Sequence, residues 1–299
     1  MRITLSGAMG FLGQHLMRRL LEQGHTIALL ARRPVTGLAS HVESYLWDPP
    51  RIGPPEAALA GADALIHLAG ATVNQRWTPQ VKALLRSSRL DSTRSLVQGL
   101  STLPERPRVF LSSSAIGFYG ARGDEVLTEG SPAGKGFLAD LSVEWENEAL
   151  LARALGIRVN LLRTGVVLGR EGGALASMLP AFRLGLGGKL GSGRQWMSWI
   201  HIEDWVEATL SLLDEKASGG AVNLTAPEPV RNEEFTATLG RVLRRPAIFP
   251  VPEAALKLVF GEMSTVLLAS QRVAPEALTK AGYRFRYPML ESALRHLLQ

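Results

Sequence analysis

The chain has 299 residues, 46% of them hydrophobic, and carries a formal charge of +6. A chain of this size buries roughly three quarters of the surface its unfolded form exposes, so it can build a core without covalent staples. Cysteine is absent, which excludes disulfides, thiolate nucleophiles and cysteine metal ligands, and only six of the 33 basic residues are lysine.

The arginines are dispersed among acids rather than gathered in a stripe, which argues against nucleic acid as a partner. No run of 18 apolar residues is present to cross a membrane, and Met1 leads straight into a strand without the segments of a signal peptide. A cytoplasmic protein is expected, in keeping with the lack of cysteine.

Arg2–Ser6 reads as a short apolar strand running into Gly7-Ala8-Met9-Gly10-Phe11-Leu12-Gly13. Residues 11–23 follow as a helix, with Phe11, Leu12, Leu16, Leu20 and Leu21 at helical spacing and Gly24 as the stop. Thr26–Ala31 is a nearly continuous apolar run, as suits a parallel strand covered on both faces. Further strands are predicted at 64–68 and 109–112, separated by a long helix over 79–99. A helix over 137–155 ends at Gly156, and 157–162 supplies another strand. This alternation predicts an α/β fold, a Rossmann-type doubly wound parallel sheet with right-handed crossovers.

Beyond Gly165 the composition changes. Glycine-rich loops at 169–173 and 185–193 flank a short helix over 175–184. A helix at 204–213 and a strand at 221–224 return to the first unit. A helix at Asn232–Leu243 and shorter elements ending at 289–298 complete a smaller, interleaved C-terminal lobe. The expected division is a core of 1–165 rejoined by about 197–225, with 166–196 and 226–299 as the substrate lobe and a cleft between them.

The glycine spacing has a direct physical use. Gly7 permits a tight turn, Gly10 lets backbone approach a diphosphate, and Gly13 permits close helix packing, with the helix N-terminus facing the anion. Phe11 and Leu12 open that helix and join the expected cofactor contacts. An NAD site wants an acid at the end of the second strand; here Ala31 is followed by Arg32 and Arg33, which would pair with a ribose 2′-phosphate. NADP(H) is therefore the expected cofactor, the alternative for the two arginines being an ordinary solvated face.

Other stretches carry a resemblance: Leu68-Ala69-Gly70, Arg76-Trp77, Ser88-Arg89, Ser112-Ser113-Ser114-Ala115-Ile116-Gly117 with Tyr119-Gly120, Trp145-Glu146 and Arg163-Thr164-Gly165. They continue with Gly191-Ser192-Gly193-Arg194-Gln195-Trp196, Trp199-Ile200-His201-Ile202-Glu203-Asp204 and Ala226-Pro227-Glu228-Pro229-Val230. With these the chain resembles the extended short-chain dehydrogenase/reductase superfamily. More narrowly, it is similar to the nucleotide-sugar-epimerase-like family that has a distinctive C-terminal domain and is sometimes labelled a cell-division inhibitor. The resemblance implies cofactor contacts at Leu68, Ala69, Gly70 and Arg163. It also implies a homodimer formed through the helices at 79–99 and 137–155.

The wider superfamily uses a serine, a tyrosine and a lysine four positions after the tyrosine; the tyrosine exchanges a proton with substrate while the lysine positions ribose. Phe137 and Leu141 occupy that pair here, and neither transfers a proton. Ser113 or Ser114 could still bond a substrate oxygen, the alternative being that they satisfy backbone groups. Tyr119 is a candidate replacement acid, or else an aromatic packed on the cofactor-side wall. Glu144, on the side of its helix shared with Phe137, is a weaker acid/base candidate.

Arg76 and Trp77 on one side, and Arg194 and Trp196 on the other, are candidates to bind a polar, sugar-like substrate. In the extended superfamily a histidine and an aspartate near His201 and Asp204 hold the returning chain against the sheet. His67, His201 and Asp204 lack the spacing of a zinc motif, so no metal is expected.

The expected function is that of an NADP(H)-dependent oxidoreductase or epimerase-like enzyme acting on a polar carbonyl or alcohol. The alternative is an NADP(H)-state sensor or scaffold that acts on a protein partner.

Overall fold

The computed structural model describes residues 1–49 and 51–299. In chain order these form β1 (Arg2–Ser6), α1 (Phe11–Glu22), β2 (Thr26–Ala31), β3 (Val42–Leu46), α2 (Glu56–Leu59), β4 (Ala64–His67), α3 (Pro79–Ser101) and β5 (Val109–Ala115). There follow β6 (Val126–Leu127), α4 (Phe137–Leu150), β7 (Arg158–Thr164), β8 (Val166–Leu168), α5 (Gly173–Arg183), β9 (Trp196–Met197), β10 (Trp199–His201) and α6 (Ile202–Ser211). The chain closes with β11 (Gly220–Leu224), β12 (Val230–Arg231), α7 (Asn232–Leu243), α8 (Glu253–Phe260), α9 (Ser264–Leu268), β13 (Arg272–Val273), α10 (Glu276–Lys280) and α11 (Leu290–Leu298).

Seven of these strands form one parallel sheet in the order β11-β7-β5-β4-β1-β2-β3. Both faces are covered, so the central strands β1, β2 and β4 are largely apolar while their side chains still alternate between two cores. Leu5, Ile66, Leu111 and Leu162 lie in the core that also holds Leu16 and Leu20 of α1 and Trp205 of α6. Leu65, Phe110 and Val159 lie in the other, with Leu96 and Leu100 of α3 and Ala149 of α4. The chain leaves β1 toward β2 and β3, then crosses back to β4 on the other side of β1. A crevice therefore opens beyond the carboxyl ends of β1 and β4, where doubly wound sheets take their ligands.

Three differences from the sequence pattern have local causes. β3 completes the edge of the sheet although Glu43, Ser44 and Tyr45 give it no apolar run; it buries only Val42 fully. β5 runs on to Ala115, so Ser113 and Ser114 lie within the strand rather than after it. The helix over 137–155 is α-helical only to Leu150; a tighter turn, Leu151–Leu155, carries it to Gly156, which ends it at φ +80°.

Beyond β7 the chain is stitched together by short ladders. β8 pairs with β10, β9 with β12, and β6 with β13, the last joining segments nearly 150 positions apart. α6 returns to lie beside α1, where Arg19 Nε donates to Glu207 at 2.6 Å. Asp204 then fastens the C-terminal segment by accepting from the backbone N–H groups of Arg286 (2.8 Å) and Tyr287 (2.9 Å). Among the described residues no helix is long and apolar enough to cross a membrane.

Candidate dinucleotide site and the network beside it

The turn after β1 has no room for side chains. Gly7 has φ +77°, and a Cβ on it would lie 2.6 Å from the backbone carbon of Leu68. A Cβ on Gly13 would overlap the Gly7 carbonyl oxygen. Gly10 precedes α1 without a side-chain cap, so the opening amides of the helix have no side-chain acceptor. Such a cradle, together with the helix dipole, fits the diphosphate of a dinucleotide. Leu68 and Ala69, leaving β4, bring their backbone directly against Gly7, and Gly70 follows them against Arg89.

Phe11 takes a second role that the sequence did not disclose. Its ring occupies the space that side chains on Gly169 and Gly172 would fill, and it also lies close to Gly173. The glycine-rich loop before α5 thus accommodates this ring. Arg32 and Arg33 stand exposed at the end of β2.

Three residues predicted from the sequence to meet ligand are instead committed to one another. Arg163 is buried and clasps Glu146 of α4 through two parallel bonds of 2.8 Å, with its guanidinium 3.4 Å from the Phe118 ring centroid. Ser114 Oγ donates to the same carboxylate at 2.6 Å. Tyr119 is fully buried; its hydroxyl donates to Asn223 Oδ1 at 2.7 Å and accepts from Arg163 Nη1 at 3.0 Å. Burial pushes the Tyr119 phenol up from its ordinary range, countered in part by Arg163, which is the wrong direction for proton exchange near neutrality. Arg163, Ser114 and Tyr119 form an internal polar network. The sequence pattern could not reveal it, because Glu146 and Asn223 arrive from distant elements.

Ser113 points to the opposite face of β5 from Ser114 and is only half-buried. Phe137 and Leu141 sit in an apolar cluster with Trp77, Leu85 and Met263. The Phe137 and Trp77 rings meet edge to face at 5.2 Å, and Leu141 is buried. Glu144 is taken by Arg86 of α3.

The proposed substrate walls also have structural partners. The Trp77 indole N–H donates to Val73 O at 3.0 Å, and Arg76 Nη1 donates to Leu258 O of α8 at 3.2 Å. The Trp196 ring has the Arg231 and Arg272 guanidiniums each 4.6 Å from its centroid, and its N–H donates to Asp124 at 2.7 Å. Arg194 is exposed. Gln195, between Arg194 and Trp196, donates to Leu267 O at 3.4 Å, so both walls meet the segment carrying α8 and α9.

Two histidines are held neutral. His67, at the end of β4, bonds Ser6 Oγ at 2.6 Å and Ser92 Oγ at 3.1 Å; burial, aided by the charge of Arg89, lowers it to about 3. His201 accepts from the Glu203 N–H at 3.0 Å, which leaves its Nε2–H to donate to His296 Nδ1 at 3.1 Å. Burial, with His296 and Arg286 adding charge repulsion, lowers it to about 3 as well. Apart from the glycine turn, a cavity of about 600 Å³ opens between α1, α6 and the C-terminal segment, lined by Arg18, Arg170, His201 and Arg284 among others.

Residues 3–225 match the NAD dependent epimerase/dehydratase family, and residues 251–297 match a domain of unknown function, DUF1731. The chain belongs to the NAD dependent epimerase/dehydratase family. It is 40% identical to the epimerase family protein SDR39U1 homolog, chloroplastic, of Arabidopsis thaliana, covering all of this chain and 87% of that protein. The crystal structure of the human epimerase family protein SDR39U1 with NADPH superposes with a TM-score of 0.89 at 33% identity, over 99% of each chain. A nucleoside-diphosphate sugar epimerase from Corynebacterium glutamicum gives 0.80 at 33% identity, over 99% of this chain and 58% of that one. The fold and the glycine turn are thus those of an epimerase-family protein with a distinct C-terminal domain.

Proposed function

We propose that the chain is an NADP(H)-binding oxidoreductase or epimerase-like enzyme acting on a polar carbonyl or alcohol, of the nucleoside diphosphate sugar class. The observation that carries this reading is the Gly7–Gly13 cradle joined to Arg32 and Arg33, exposed where an NAD site would keep an acid. The NADPH in the human relative and the sugar-nucleotide name of the Corynebacterium relative support it. When bound, the dinucleotide supplies or accepts a hydride. Gly7, Gly10, Gly13 and the first amides of α1, at Phe11 and Leu12, would hold its diphosphate. Arg32 and Arg33 would hold its 2′-phosphate, and Leu68, Ala69 and Gly70 would flank it. Ser113 is the predicted hydroxyl left to bond a substrate oxygen. Residues 166–196 and 226–299 are read as the substrate lobe.

NADPH is expected to bind at least about tenfold more tightly than NADH, the worth of one charge-assisted bond. The double variant R32E/R33E is expected to remove that preference. Calorimetric titration of both nucleotides checks it; a wild-type protein that binds NADH equally well overturns the NADP(H) reading.

Phe137 and Leu141 favour a second reading, a sensor of NADP(H) state, because they pack where proton transfer would occur. The same titration with NADPH and NADP+ separates the two: a sensor needs different affinities for the two redox forms.

We also read the protein as a cytoplasmic homodimer, built through α3 and α4, where Leu84 and Leu151 are exposed beside the pair. Sedimentation equilibrium at micromolar concentration is expected to return twice the chain mass, and a monomer rejects the dimer.

A further inference from the structure

Three arginines of α3 reach toward α4 and end differently. Arg86 pairs with Glu144, and Arg94 with Glu148. Arg89, between them, meets no carboxylate among the described residues. Its Nη1 donates to Leu85 O at 3.2 Å, its Nη2 to Ala71 O at 3.1 Å, and its guanidinium lies 5.1 Å from the Trp145 ring. Burial lowers it to about 10 with no acid to hold it up, so it stays charged at neutral pH. A half-buried cation without a counter-ion is costly, and proteins seldom keep one without a use.

Its place in the fold suggests that use. The guanidinium packs against Gly70: a Cβ there would be in van der Waals contact with it, 3.4 Å from its carbon. Arg89 therefore lies directly beneath the segment that leaves β4 and borders the dinucleotide crevice. Leu141, at the position of the superfamily's lysine, packs in one cluster with Leu85, one turn before Arg89 on α3, and lies one turn before Trp145 on α4. Two of the five guanidinium N–H groups are used by the protein, which leaves three for a ligand.

We propose that Arg89 is the oxyanion-recognition residue of this cleft, binding a phosphate or carboxylate of the dinucleotide or of the substrate. A cation on α3 then stands in for the one that Leu141 removes from α4. This inference rests on the dinucleotide reading above.

The test compares wild type with R89M in three calorimetric titrations: NADPH, UDP-glucose added to NADPH-saturated protein, and inorganic pyrophosphate added to the protein alone. Loss of an arginine–oxyanion bond is expected to weaken at least one of them by about tenfold or more. The urea unfolding midpoint is expected to stay close to or above that of wild type, because relief from desolvating a charge that meets no carboxylate offsets the loss of the bonds to Leu85 O and Ala71 O. Weakened NADPH binding identifies the dinucleotide as the source of the oxyanion, and unchanged NADPH with weakened UDP-glucose identifies the substrate. R89M affinities within twofold of wild type for every ligand that wild type binds, or no binding of any of the three by wild type, overturn the proposal. Should wild type fail to bind NADPH, the dinucleotide reading falls, and Arg89 is judged on pyrophosphate and UDP-glucose alone. If R89M does not fold, R89Q, which keeps a donor for Ala71 O, is read by the same criteria.

Discussion

Glu146→Ala is expected to destabilise the fold by about 3–5 kcal/mol, the cost of leaving a buried charge without its partner. Arg163 and Glu146 are both nearly inaccessible, and the carboxylate also accepts from Ser114 while Arg163 reaches the Tyr119 hydroxyl. Removing the acid strands a guanidinium against the Phe118 ring and leaves Ser114 without its acceptor. Urea unfolding followed by circular dichroism measures the change. The double variant Arg163→Met with Glu146→Leu is expected to recover much of the loss, since an apolar pair of similar size leaves no charge to solvate. A Glu146→Ala protein as stable as wild type would mean that the pair is open to water, contrary to its burial.

Acid is expected to weaken the protein well before its carboxylates titrate. His67 and His201 ionise near 6.5 in the unfolded chain but stay neutral to about 3 in the folded one. Below pH 6.5 the unfolded state therefore binds two more protons, and stability falls as pH falls, down to the folded values. Together they remove about 3 kcal/mol between pH 6.5 and pH 5, at up to about 1.4 kcal/mol per unit for each histidine. Asp204 acts in the opposite direction, because burial raises its carboxyl despite the backbone N–H groups that bond it. The net slope therefore shallows as pH approaches the carboxylate range. Urea midpoints across this window check the trend, and His67→Asn is expected to remove about half of the slope. A midpoint that does not move between pH 6.5 and pH 5 would show that neither histidine is held neutral.

The sheet and the glycine turn were legible because both rest on local pattern: an apolar run covered on two faces, and glycines at spacings where no side chain fits. β3 was not, since an edge strand reading Val42-Glu43-Ser44-Tyr45-Leu46 carries no such run. The replacement of the proton-transfer pair by Phe137 and Leu141 was visible from position alone. The fate of the other candidates was not. Ser113 and Ser114 are neighbours in sequence, yet the pleat turns one toward Glu146 and the other to the opposite face. Tyr119 and Arg163 suit an active site by residue type, but their partners come from α4 and β11. For Arg89, what matters is a missing partner, which only the packing of α3 on α4 makes plain.

Phe11 bears on how such a cleft could open. Its ring is keyed into the Gly169–Gly173 loop, so α5 cannot swing away from the start of α1 without pulling that key out. The ring thus ties the start of α1 to the loop that leads into α5. On the other side the α8–α9 segment is tied to α3 and its preceding loop by the Lys82–Glu262 ion pair, the Arg76 bond and the side chain of Met263. Opening on the Phe11 side would give up the burial of an aromatic ring, whereas opening at α8–α9 would give up one partly exposed ion pair, one hydrogen bond and a methionine contact.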